Sequence, residues 1–316
     1  MVPWTISSLL FKKLVFKKVR NMKLSQVLQN NSKKLSNISE TPQIDAELLL
    51  SFVLNKEKSF LYTYPEYELT KEELEKYSDY INKRLGGYSV ACITGIKYFY
   101  GYEFIVDKNT LVPRPETELM VDEVLSILEE SSDQQDLSLI DLGTGTGCIP
   151  ISILKSTKKK DIKCFAIDIS SDALEIAQKN AQKHGLGKDI GFLKGNLLKP
   201  LFTSKILKQR YGIIITANLP YLTKKQIEDS PSIQKEPVLA LDGGENGMDY
   251  YIELFKQIKT LKNNYKPESI TMLAEIDHTQ VEVFKEETKK AFPEVEVIIK
   301  KDLGDYERLA IIVIKK

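Results

Sequence analysis

The chain has 316 residues, 42% hydrophobic and 28% charged, with 45 basic and 44 acidic side chains, which suits a globular protein with room for two domains and a full core. No apolar run approaches the ~20 residues needed to span a bilayer. Three dispersed cysteines fit neither a disulfide framework nor a metal spacing, and two histidines leave little for a zinc site or a Ser-His hydrolase.

The balanced total hides an asymmetry. Residues 1–39 hold eight Lys/Arg and no Asp/Glu, which leaves 37 basic and 44 acidic groups, a net of −7, on the remainder. Phosphate contacts need cations, so the bulk of the chain suits a protein or small-molecule partner better than a nucleic acid. Residues 1–21 read as a basic, amphipathic extension. It fits an organelle transit peptide, a stretch ahead of a true start at Met22, or a surface helix. A reducing, cytoplasmic setting is expected, or a mitochondrion or plastid if the extension is a transit peptide.

Residues 22–87 have helical periodicity and form a small helical domain. A helix is expected from Asp45 to Leu54. Thr70 and Glu73 make a capping box for another, whose Leu74, Tyr77, Ile81 and Leu85 lie on one stripe before Gly86-Gly87 ends it. Residues 88–112 read as a linker containing a β-hairpin over 96–106 that turns at Tyr100-Gly101. Two prolines make Pro113-Arg-Pro-Glu-Thr-Glu118 a stiff, extended connector into a helix over 117–128.

From residue 137 the rhythm is strand–helix–strand. Strands are expected over 138–140, 163–167, 190–193, 212–217, 269–276, 295–299 and 309–314. Helices are expected over 149–156 and after a cap formed by Asp172 with Glu175; Ala173, Ala177 and Ala181 line one face of the second, and Gly185 closes it. The implied fold is α/β: a seven-stranded, mostly parallel, doubly wound sheet behind a small N-terminal helical domain, with residues 113–316 as the catalytic domain.

Such a sheet binds ligands at the carboxyl ends of its strands. Asp141-Leu-Gly-Thr-Gly-Thr-Gly147 follows the first strand, where glycine lets backbone turn tightly and approach a ligand. Asp168 ends the second strand, placed to accept both ribose hydroxyls. A dinucleotide loop wants G-x-G-x-x-G, and Cys148 breaks that spacing. Asp141 also suits a cationic methionine head better than a pyrophosphate. Both features favour S-adenosylmethionine (SAM) over NAD. Asn196 and Leu197, after the third strand, could bond and cover an adenine, though they also read as an ordinary turn. Asn218-Leu-Pro-Tyr221 ends the fourth strand. The Asn218 side-chain oxygen and the Leu219 carbonyl can accept the two N–H groups of a planar –NH2, Pro220 stiffens the loop, and Tyr221 can stack on the acceptor. A simple turn is the plainer alternative. His278 and the cysteines read as structural, and no metal is expected.

Together these motifs resemble the release-factor glutamine N5-methyltransferases of the HemK/PrmC type, class I SAM-dependent methyltransferases, from Met22 to the C-terminus. Phe99-Tyr-Gly-Tyr-Glu-Phe104, the Pro113–Glu118 connector, the run from Glu236 to Asp249, Glu275-Ile-Asp-His278 and Lys301-Asp-Leu-Gly-Asp305 also match. The resemblance implies methylation of the glutamine in the Gly-Gly-Gln loop of class-1 peptide chain release factors. A monomer is expected, and the net negative charge beyond residue 39 argues against direct nucleic-acid binding. It assigns Gly143, Thr144, Gly145, Thr146, Gly147, Asp168, Leu197 and Asn218 to SAM, and Asn218, Leu219, Pro220 and Tyr221 to the glutamine and its methylation. Arg114 and Glu118 are expected to pack near the site. Leu219 replaces the first of two family prolines, and Asn196-Leu197 replaces Asp-Trp. Asn-Leu-Pro-Tyr is also similar to N6-adenine methyltransferases acting on RNA or DNA, the alternative reading. A SAM-binding protein without activity, a third possibility, would not need Asn218.

Overall fold

The computed structural model describes residues 22–316 apart from 132–135, 160, 205–206 and 208–211, so the extension expected over 1–21 lies outside the described residues. Two compact units divide after Thr94.

The first unit is helical: α1 (Leu24–Leu35), α2 (Pro42–Leu54), α3 (Lys58–Thr63), α4 (Lys71–Leu85) and α5 (Val90–Thr94). In α1, Leu24, Val27, Leu28 and Leu35 recur at helical spacing and are buried with Leu49, Leu50, Tyr77 and Ile81 in one core. α2 starts at Pro42, ahead of the expected Asp45, because a proline ring already fixes φ for the first helical turn. The capping box of α4 is present: Thr70 N donates to Glu73 and Glu73 N donates to the Thr70 hydroxyl. Its apolar stripe holds at Tyr77 and Ile81 but not at Leu85, which is exposed beside the helix end.

The second unit opens with an antiparallel hairpin, β1 (Ile96–Phe99) and β2 (Tyr102–Ile105). Tyr100 and Gly101 both take positive φ, as a two-residue turn that follows strand twist requires. A 3-10 turn at Pro115–Thr117 leads into α6 (Glu118–Glu130). The sheet comprises β3 (Leu137–Leu142), β4 (Lys163–Asp168), β5 (Ile190–Lys194), β6 (Gly212–Ala217), β7 (Ser269–Glu275), β8 (Val297–Lys301) and β9 (Glu307–Lys315), in the order β5-β4-β3-β6-β7-β9-β8. Only β9 runs against the rest. The helices are α7 (Cys148–Ser156), α8 (Ser171–Lys183), α9 (Lys199–Ser204), α10 (Lys224–Glu228), α11 (Asp249–Tyr265) and α12 (Val281–Ala291). Alternate residues of β3 face opposite ways. Ile140 and Leu142 join α11 and α12 in one core, while Leu137 and Leu139 join α6 and α7 in the other. The expected doubly wound fold is therefore the observed one. Among the described residues no helix is long and apolar enough to cross a membrane.

Two local expectations are corrected. Ser170, not Asp172, caps α8: its hydroxyl accepts from Ala173 N at 3.2 Å. β8 starts at Val297 rather than 295, because Val295 N closes a turn onto Phe292 O around Pro293.

Candidate active site

The chain winds outward from β3 through β4 to β5, then returns to β6 on the other side of β3. That reversal opens a crevice at the carboxyl ends of β3 and β6. The register pairs Leu142 with Ala217, so the stretches beginning at Gly143 and Asn218 leave the sheet side by side. A cavity of about 220 Å³ lies there. It brings together Gly143, Gly145, Asp168, Leu197, Asn218, Leu219 and Pro220 from the expected set, and Asn196 with them.

Gly143 has φ +65°, and an added Cβ would meet the Leu219 side chain at 3.2 Å. A larger residue would be strained and would crowd the motif opposite. Asp168 is nearly buried. One oxygen accepts from Gly145 N at 2.9 Å and the other from Ser170 N at 2.9 Å. Burial raises its pKa, while those amides and that of Ile169 act the other way. Each oxygen keeps a lone pair beyond its amide contact, which suits a diol. Leu197 takes φ +54° against the cavity, a left-handed conformation uncommon for leucine and concentrated at functional sites.

Other expected residues do not reach the cavity. Thr144, Thr146 and Gly147 brace the loop from behind: Thr144 N donates to Ile167 O, Gly147 N donates to Thr144 O, and Thr146 O accepts from the buried Asn180 amide. Only alternate members of the loop face the crevice, because it turns back at once into α7. Asp141 is sealed within β3, where one oxygen accepts from the Thr216 hydroxyl at 2.7 Å and the other is unpartnered. Burial pushes its carboxyl up to about 7, against the nearby Thr144 and Thr216 hydroxyls. It is a buried prop beneath the loop rather than a group facing a methionine head. Tyr221 is turned away as well. Its hydroxyl donates to Glu275 at 3.1 Å and its ring packs on the sheet core, so it anchors the loop. Burial and Glu275 raise its pKa well above the ordinary tyrosine range, so the phenol keeps its proton.

Beneath the acceptor motif lies a polar network that sequence reading missed. Asn218 Nδ2 donates to the Thr117 hydroxyl at 3.1 Å, and that hydroxyl donates to Glu275 at 2.6 Å. Thr117 and Glu275 are each 2% exposed. Burial raises the Glu275 pKa; Thr117, Tyr221 and Arg308 oppose the rise. The visible signal was an acidic residue closing an apolar strand next to β6. Arg114 forms an ion pair with the buried Glu236, which also accepts from Val112 N at 3.2 Å, and Glu118 accepts from Tyr100 N at 2.7 Å. The segments around Thr110 and Leu239 form further cavity walls that sequence reading missed. Among the described residues no group of side chains could hold a metal ion.

Residues 26–95 match the PrmC N-terminal domain family, and residues 133–309 match the Methyltransferase domain family. The chain is similar to "Release factor glutamine methyltransferase" of Koribacter versatilis, 37% identical over 225 residues, covering 69% of this chain and 74% of that one. The protein of the same name from Dictyoglomus turgidum is 34% identical, covering 77% and 83%. The Bacillus subtilis one is 31% identical, covering 86% and 91%.

Proposed function

The chain belongs to the release factor glutamine methyltransferase family, and we propose that this enzyme transfers a methyl group from SAM to the side-chain amide nitrogen of the glutamine in the Gly-Gly-Gln loop of class-1 peptide chain release factors. The observation that carries this reading is that Gly143 and Asn218 leave paired strand ends into one cavity.

Gly143, Gly145, Asp168 and Leu197 would hold the cofactor, and the two glycines that line the cavity without side chains and the spare lone pairs of Asp168 fit it. When bound, SAM supplies a methyl group already activated on sulfonium, so the protein need not protonate a leaving group. What remains is the acceptor. An amide lone pair is delocalised and attacks carbon poorly, so the site must orient the nitrogen and favour its developing positive charge. Asn218 Nδ2 is engaged by Thr117, which leaves Oδ1 to accept one substrate N–H. No hydrogen bond reaches the Leu219 carbonyl from the described backbone, so it can accept the other. Pro220 offers no competing N–H. Leu219 in place of a proline keeps the carbonyl and therefore this role.

The N6-adenine alternative is not favoured, since the relatives are named for glutamine and the charge outside the N-terminal stretch is net negative. A cytoplasmic, monomeric enzyme acting on a protein is the corresponding reading of compartment and partner. Incubation with labelled SAM, an intact class-1 release factor and ribosomal RNA tests it. Label mapped by mass spectrometry to the Gly-Gly-Gln glutamine is expected, and label on RNA alone would overturn it. Asn218→Ala should lower transfer about 10²–10³-fold with SAM binding retained; near-normal turnover would sink the mechanism.

A further inference from the structure

We propose that Thr117 and Glu275 are positioning residues that fix the orientation of the Asn218 amide, holding Oδ1 toward the acceptor. The inference rests on the function proposed above and deepens it.

The two ends of a side-chain amide have nearly the same shape and opposite hydrogen-bonding character. If Asn218 turned over, it would present N–H groups to an acceptor –NH2, which also carries N–H groups, and the acceptor would lose its anchor. Something must select one orientation, and the hydrogen-bond chain does so. Glu275 accepts from Tyr221 on one oxygen and from Thr117 on the other, so the Thr117 hydroxyl spends its single proton on Glu275, at 2.6 Å. The hydroxyl oxygen then has only lone pairs left for Asn218, so the nearer end of that amide must be Nδ2, at 3.1 Å. Oδ1 is thereby assigned to the cavity side.

The far end of the chain is fixed in turn. The second Glu275 oxygen accepts from the Tyr221 hydroxyl at 3.1 Å. The backbone carbonyl of Glu275 accepts from the Tyr251 hydroxyl, which also reaches Ala217 O at 3.2 Å. Glu275 is therefore held between the β6 end that carries Asn218 and the connector that carries Thr117. Buried and hydrogen-bonded on both oxygens, the Glu275 carboxyl holds the Thr117 hydroxyl in one orientation.

Thr117→Val keeps the shape and removes the hydroxyl, while Thr117→Ser keeps the hydroxyl. Both are assayed by labelled methyl transfer to an intact class-1 release factor at saturating and limiting factor, with SAM affinity from calorimetry and thermal unfolding as a check on folding. T117V is expected to lose at least tenfold in kcat with SAM affinity within about twofold of the parent, and T117S to stay within about threefold in kcat. In N218A, adding T117V should change little, because Thr117 acts only through Asn218. Equal losses in T117V and T117S, a kcat for T117V close to the parent's, or a parallel fall in SAM affinity would overturn the relay. If T117V does not fold, Thr117→Cys, whose thiol is a weak donor and acceptor, takes its place under the same criteria. The parent separates the two readings: if it labels the glutamine and T117V does too at full rate, only the relay fails. If the parent leaves the glutamine unlabelled, the function falls and the relay with it.

Discussion

Gly243 shows how closely single atoms constrain the acceptor loop. A Cβ there would sit 2.5 Å from Pro220 O and 2.7 Å from Tyr221 Cα, closer than packed atoms allow. The Asp242-Gly243 backbone therefore acts as a wall pressed on the motif, a contact reinforced by Gly243 N donating to Leu222 O at 2.8 Å. Gly243→Ala must push Asn218–Tyr221 out of place by a sizeable fraction of an ångström, and misplacement near that scale is enough to cost a reaction heavily. Transfer should fall by tenfold or more, with SAM affinity changed far less, since the cofactor loop lies on the other strand. Steady-state kinetics beside calorimetric SAM titration checks this, and equal losses in both would place the damage elsewhere. The motif residues themselves were readable because each signal is local: glycines after an apolar run, or an amide and a proline after another. Thr117 and Glu275 were not, because they meet across 158 positions of sequence and nothing near either one announces the other. The anchoring of Tyr221 was hidden for a related reason. An aromatic ring beside a cleft suggests stacking, and only the buried Glu275 carboxylate shows that its hydroxyl is held on the core side.

At the scale of elements, periodicity gave each strand and the helices α2, α4, α6, α7 and α8 their existence, and local chemistry moved the ends; α11 and α12 were not read from the sequence. The start of α8 is the clearest case. Asp172 and Glu175 have capping-box spacing, yet Ser170 lies where the chain leaves Asp168, and its N–H is already drawn onto that carboxylate. The turn so formed starts the helix two residues early and puts Asp172 inside the first turn, where it serves only as a favourable charge near the positive helix end. Ser170→Ala should then destabilise the unit by about 1 kcal/mol in urea unfolding, the usual worth of a capping hydroxyl. Asp172→Ala should cost about half that or less. A larger loss at Asp172 would restore the sequence-based cap. β8 moved for a comparable reason. Its apolar alternation begins at Val295, but a turn at Pro293 consumes that residue before pairing with β9 can begin.

For the whole molecule, the doubly wound topology concentrates acidic groups at the edge where it opens its crevice. Asp141, Asp168 and Glu275 stand at or next to the carboxyl ends of β3, β4 and β7, and burial raises the pKa of all three. The sign of the stability effect follows for Asp141. Folded, its carboxyl titrates at about 7, against 3.8 for the ordinary group. Burial is the largest cause. Asp168 adds to it, and the Thr144 and Thr216 hydroxyls oppose it. The folded state thus holds this proton more tightly than the unfolded chain. Its contribution is fully present below about pH 4, declines as pH rises, and is lost above about 7, at about 1.4 kcal/mol for each pH unit in between. Asp141→Asn removes the titration. Whatever constant effect the amide has on packing, the variant's stability relative to the parent should improve by about 2–3 kcal/mol between pH 5 and pH 8. The other titrating groups are common to both proteins and cancel to first order in the difference. Denaturant unfolding of both at the two pH values decides it. A difference that stays constant with pH would mean that Asp141 titrates in the folded protein as an ordinary exposed carboxylate, and that the floor beneath the glycine loop is wetter than its burial shows.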